Sequence, residues 1–124
     1  MRINQAGGVG IGTSTIPAGY KMVVDGKVGF REAYVKLSGA WPDYVFEKNY
    51  KPTALQEIET FYRHHKHLPG MPSANEISET GQNIGEVQRL QQEKIEEIFI
   101  YIVELKKEID FLKSENKRLK NNYK

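Results

Sequence analysis

The sequence predicts an α+β protein with three zones: a β-rich stem over 1–40, a small compact α/β shoulder over 41–83, and a long C-terminal helix over 84–124 that forms a parallel coiled coil. Three observations predict it. Apolar residues recur in alternating steps of three and four from Ile95 onward, the heptad period of a seam that packs against other helices. Glycines punctuate β-forming residues in the first zone. The middle zone crowds large aromatics and two capping-box patterns into a short stretch.

In the stem, Gly7, Gly8, Gly10 and Gly12 interrupt Val9 and Ile11, and Tyr20–Val24 runs into Asp25-Gly26 and out through Lys27–Phe30. Asp-Gly between β-formers predicts a two-residue hairpin, because both central positions favour positive φ. Ala33, Val35 and Leu37 alternate with Tyr34 and Lys36, which predicts a further strand. The hairpin register opposes Val23 to Val28, but also Met22 to Gly29 and Lys21 to Phe30, so neither face is cleanly apolar. Strands pairing between chains would relieve that conflict.

In the shoulder, Trp41-Pro-Asp-Tyr-Val-Phe46 is dense in large side chains, and Thr53 with Gln56 forms a capping box opening a helix over 53–65. Leu55, Ile58, Phe61 or Tyr62, and His65 fall on one face of that helix, above an expected small aromatic core. Leu68-Pro-Gly-Met-Pro72 breaks the chain. Ser73 with Glu76 forms a second capping box, for a short helix that Gly81 ends.

The long helix starts at Asn83, an N-cap with Glu86 three residues on. Ile84, Val87 and Leu90 do not share the later heptad phase, so these turns are expected to pack on the shoulder and the coil to begin near Ile95. With Ile95 at a, position a holds Ile95, Ile102, Ile109, Asn116 and Tyr123, and d holds Ile98, Leu105, Leu112 and Leu119. Glu108 and Glu115 fall at g, and Lys106, Lys113 and Lys120 at e. In a parallel coil g meets the e residue five positions on in the next chain, which predicts interchain bridges Glu108–Lys113 and Glu115–Lys120. Ile at a with Leu at d suits dimers, and Ile at both suits trimers; Ile95 and Ile98 lean one way and the later heptads the other. Asn116 is a register device in either state.

The chain has 124 residues, a net charge of +2 and no cysteine. A stem and shoulder this small bury a marginal core, and oligomerisation is a usual remedy. The near-neutral balance predicts no nucleic-acid partner. Disulfides and thiolate metal sites are excluded. No apolar run approaches the roughly 20 residues of a membrane span, which predicts no membrane partner. The opening Met-Arg-Ile-Asn-Gln-Ala-Gly-Gly reads as a cut into a longer protein.

Three groups of side chains invite a ligand. His64, His65 and His67 offer an i, i+3 imidazole pair, but no carboxylate or thiol completes a set within the turn. Their position suits a helix C-terminus, where cations favour the dipole. Trp41, Tyr44 and Tyr50 are the aromatics able to bind a sugar or host surface, set against their role in a core. The glycines of 7–12 precede no Gly-Lys-Ser/Thr and no helix, so they form no phosphate loop. No cofactor or catalytic carboxylate pair is indicated.

Taken in order, Gly8-Val-Gly-Ile-Gly-Thr13, Tyr20-Lys-Met-Val-Val-Asp-Gly26, WPDYVF at 41–46, His67-Leu-Pro-Gly-Met-Pro-Ser73 and the Gly85-Glu86 helix start resemble the C-terminal module of tail-fibre-like proteins from Bacteroidetes bacteria and their phages. In layout the chain is also similar to the endosialidase-type intramolecular chaperone domains. The resemblance implies a parallel homotrimer at the extracellular end of a phage tail fibre or bacterial surface fibre. Its partners would be its own copies and an upstream shaft, and its role to register and fold the chains. A receptor- or glycan-binding tip is the alternative. Many such chaperones cut themselves off with a serine followed by aspartate and a nearby lysine base. Here Asp43 and Lys48 are present, but Pro42 stands where the serine would be, and the nearest serine, Ser38, lies five residues before Asp43. A proline offers no hydroxyl nucleophile, so the chain is expected to be no enzyme.

Overall fold

A computed structural model describes residues 1–37 and 39–123. The chain is a mixed α+β protein with a small three-stranded sheet and a long C-terminal helix. It divides into two compact units, 1–34 and 35–124.

In the first unit, β1 (Arg2–Ile3), β2 (Val9–Ile11) and β3 (Met22–Val24) form a sheet in that order. β1 runs antiparallel to β2, with Arg2 opposite Gly10. The turn between them is closed by Asn4, whose side-chain oxygen accepts from the Gly8 amide at 2.8 Å. β3 lies parallel to β2, with Gly10 opposite Val23. Gly10 is required by close approach: a Cβ there would sit 2.4 Å from the carbonyl oxygen of Thr13, where the chain folds back after β2.

Two strand expectations are corrected. Asp25-Gly26 closes no hairpin, and 27–30 is not a strand. β3 takes its ladder from β2 instead, and the Asp25 amide continues it onto the Ile11 carbonyl at 2.9 Å. That pairing half-buries Val23 and Val24, which the hairpin register could not do on one clean face. Residues 33–37 form no strand either.

In the second unit a 3₁₀ helix (Pro42–Phe46) precedes α1 (Leu55–His65), α2 (Ala74–Thr80) and α3 (Ile84–Asn122). Pro42 begins the 3₁₀ helix, a position where its missing N–H costs nothing. Pro42 and Val45 are its buried residues, and this helix packs on α3. The aromatic core therefore lies under α3, not under the helix near 53–65 as the sequence suggested. α1 buries none of its residues. Its expected capping box is also absent: Ala54 is the N-cap and no side chain caps it. The Thr53 carbonyl instead accepts from the Tyr101 hydroxyl at 2.6 Å.

The other two helix starts follow the sequence. Ser73 and Glu76 make the full reciprocal capping box, and Gly81 ends α2 with φ 78°. Asn83 caps α3 through the Glu86 amide at 3.1 Å. Just inside α3, Gly85 lets the segment 35–37 lie against the helix. A Cβ at 85 would fall 2.6 Å from Leu37 and 2.9 Å from Val35.

Candidate functional site

α3 is 39 residues long, about 58 Å at about 1.5 Å per residue. Its N-terminal half presents a polar stripe at Glu86, Arg89, Glu93, Glu97 and Tyr101. Steps of three and four keep these side chains on one face. The shoulder's aromatics dock there by their polar ends. Tyr44 donates its hydroxyl to Glu93 and accepts from Arg89 at 3.2 Å. Tyr50 donates to Glu97 at 2.5 Å. The two rings are tilted against each other with centroids 5.9 Å apart.

Charge pairing completes the stripe. Arg89 bridges Glu86 at 2.7 Å and Glu93 at 3.4 Å, and Lys94 bridges Glu97 at 2.8 Å. Glu97 is only 4% exposed and Glu96 6%, and buried polar atoms of this kind call for hydrogen-bond partners. Glu97 has them. Glu96 accepts from Gln92 at 2.8 Å through one oxygen, while its other oxygen is buried without a hydrogen bond.

The titrations follow this geometry. The bond to Glu93, then burial, pushes the Tyr44 phenol up; burial, then the bond to Glu97, pushes Tyr50 up. Burial alone would raise Glu93, but hydrogen bonds from Tyr44 and Lys94 and the nearby charges of Lys94 and Arg89 outweigh it and hold its carboxyl low. Burial opposes the charge on Lys94, and Glu97 more than offsets it.

The heptad residues lie clear of this contact. Glu93, Glu96, Glu97, Ile100 and Tyr101 occupy positions f, b, c, f and g. The seven apolar a and d residues Ile95, Ile98, Ile102, Leu105, Ile109, Leu112 and Leu119 are 44% to 58% exposed, and Asn116 is exposed among them. The tyrosine anchors and the apolar heptad seam thus use different faces of one helix, with Leu105 of the seam at the edge of the segment 52–56. Of the four residues expected to bridge chains, Glu115 holds Arg118 of its own chain at 2.8 Å. Glu108, Lys113 and Lys120 make no ion pair among the described residues.

The three candidate surface aromatics separate. Trp41 is 50% exposed, whereas Tyr44 and Tyr50 are half-buried and tied to α3. His65 stacks on Phe61 at 4.1 Å, with its Nδ1 3.0 Å from the Phe61 carbonyl, and His67 meets the same ring edge-on at 5.4 Å. Among the described residues no three His, Asp or Glu side chains gather as a ligand set for a metal. Asp43 and Lys48 are exposed beside buried Pro42, and Ser38 lies outside the described residues. No described helix is long and apolar enough to cross a membrane.

The tyrosine anchors were missed by sequence reasoning, which followed the apolar heptads. The signal was present as carboxylates at 86, 93 and 97 in helical step with Tyr101. With this geometry in hand, no family model, curated protein or solved structure matches the chain.

Proposed function

We propose that this chain is a non-enzymatic trimerisation and folding module at the C-terminal end of a longer fibre, extracellular on a phage tail or a bacterial surface. One observation carries the reading. The apolar heptad stripe stands half-exposed along one face of α3 while the shoulder is anchored on another. Seven half-exposed Ile and Leu side chains gain roughly 1 kcal/mol each when covered, and three copies of the same stripe cover one another. Helix pairing is local and fast, so the coil would align the chains before slower interchain strand pairing begins. It would also raise their effective concentration. The resemblance of the WPDYVF and HLPGMPS segments to tail-fibre modules supports the trimer and the fibre setting.

Light scattering across a concentration series tests the reading. The expected mass is that of three 14.2 kDa chains, and Leu105→Asp with Ile109→Asp is expected to reduce it to one chain. A dimer or a concentration-independent monomer would overturn the fibre model.

A receptor- or glycan-binding tip is the second reading, favoured by half-exposed Trp41. Surface binding lost in Trp41→Ala, with the fold intact, would support it.

A further inference from the structure

Beyond its first turn, α1 has no partner element among the described residues, and it buries nothing. Its start is fixed beside α3, where Pro52–Gln56 form a notch with Tyr101, Leu105 and Glu108. The chain comes back beside α3 only after α1, where His67, Met71 and Ile77 line a pocket with Val87 and Leu90. Eleven residues without a side-chain cap make a marginal helix on their own. Yet α1 carries Leu55, Ile58, Phe61 and Tyr62.

A second unpartnered surface lies on α3. Phe46, Phe99, Ile100, Val103, Glu104 and Lys107 line a mostly apolar groove of about 280 Å³. Phe99 and Val103 are 58% and 50% exposed, and they occupy heptad positions e and b, which the a/d seam does not absorb.

We infer that α1 of one protomer lies over the Phe99–Val103 groove of the next copy of the chain, clasping the coil from outside. This rests on the parallel coiled coil proposed above. α1 leaves its own helix on the g side, at Tyr101 and Glu108, and the groove opens on the e side. Parallel coils set g against e of the neighbour. Helix axes in such coils are about 8–10 Å apart, so a helix held at both ends along the g side of its own α3 comes within reach of the adjacent one. The groove holds one acid and one base, Glu104 and Lys107, and α1 carries both signs in Glu57, Glu59 and Arg63, so charge does not oppose the contact.

Hydrogen exchange on the full chain tests the clasp, with light scattering on the same samples. The α1 amides are expected to be protected in the wild-type oligomer. In Val103→Asp they should exchange at least ten-fold faster while the oligomer keeps its mass. Since the chain has no cysteine, a second measurement refolds Ile58→Cys chains together with Val103→Cys chains under mild oxidation. A mixed disulfide between the two chain types is expected. An oligomer whose α1 is unprotected, or whose protection survives Val103→Asp, overturns the clasp and leaves the coil standing. A monomeric mass overturns both.

Discussion

The phenol of Tyr50 reaches 47 residues along the chain to donate to Glu97 at 2.5 Å, beside a Lys94 ammonium 2.8 Å from the same carboxylate. This contact joins the shoulder to the long helix at a carboxylate that is almost wholly buried. Removing the hydroxyl leaves Glu97 one partner short, with Lys94 still in place. Tyr50→Phe is therefore expected to cost about 1–2 kcal/mol. Urea unfolding measures it, with exposed Tyr20→Phe as the control within about 0.5 kcal/mol. A double-mutant cycle with Glu97→Gln should show coupling. Additive losses would mean that the bond carries none of the stability.

The same anchors set an alkaline limit. Tyr44, Tyr50 and Tyr101 are all raised above the ordinary 10.0, Tyr44 by its bond to Glu93 and the other two first by burial. A raised phenol is neutral in the folded chain after the unfolded chain has begun to lose its proton. The contribution is therefore whole below about pH 10 and falls as pH climbs through the raised folded values. Each phenol can steepen the loss by at most about 1.4 kcal/mol per pH unit. Urea midpoints from pH 8 to 11 should fall more gently in Tyr44→Phe/Tyr50→Phe than in the wild type. Parallel curves would show that these phenols do not govern the transition.

Much of this arrangement can be read in the sequence where the physics is local. The Ser73–Glu76 box, the Gly81 stop and the Asn83 cap each depend on neighbours within a turn or two of helix. The anchors on α3 depend on residues far apart along the chain. Nothing within the Trp41–Phe46 segment tells Tyr44 which carboxylate it will meet. The Asp25-Gly26 signal failed for a similar reason. A local hairpin preference lost to a non-local parallel ladder that half-buries Val23 and Val24. Thr53 lost its capping role because Ala54 became the N-cap, while the Thr53 carbonyl serves Tyr101.

Gly10 offers a test confined to the small sheet. Its missing Cβ leaves room for the Thr13 carbonyl oxygen, which an alanine methyl would meet at 2.4 Å. The clash is with backbone, so no side-chain rotation relieves it, and the fold-back after β2 must open. Gly10→Ala is expected to lose about 1–3 kcal/mol of local stability. Hydrogen exchange should speed up at β2 and β3 while α3 is unchanged. An unaltered exchange pattern in β2 would show that this turn yields easily.

Asn116 tests the heptad frame itself. It is exposed at position a, three residues before Leu119 and four after Leu112. A polar residue at a costs coil stability and fixes register and strand number. If the frame is right, Asn116→Ile extends the apolar seam and stabilises the oligomer by about 1–2 kcal/mol per chain. The thermal midpoint should rise, and light scattering should broaden from one mass to a mixture, because the device that selects one assembly has gone. On a solvent face the same substitution would change the midpoint little and leave the mass homogeneous, and that pair of results would remove residue 116 from the seam. A raised midpoint with a single mass would keep Asn116 in the seam but assign the choice of strand number to Ile95 and Ile98, the heptad with isoleucine at both positions.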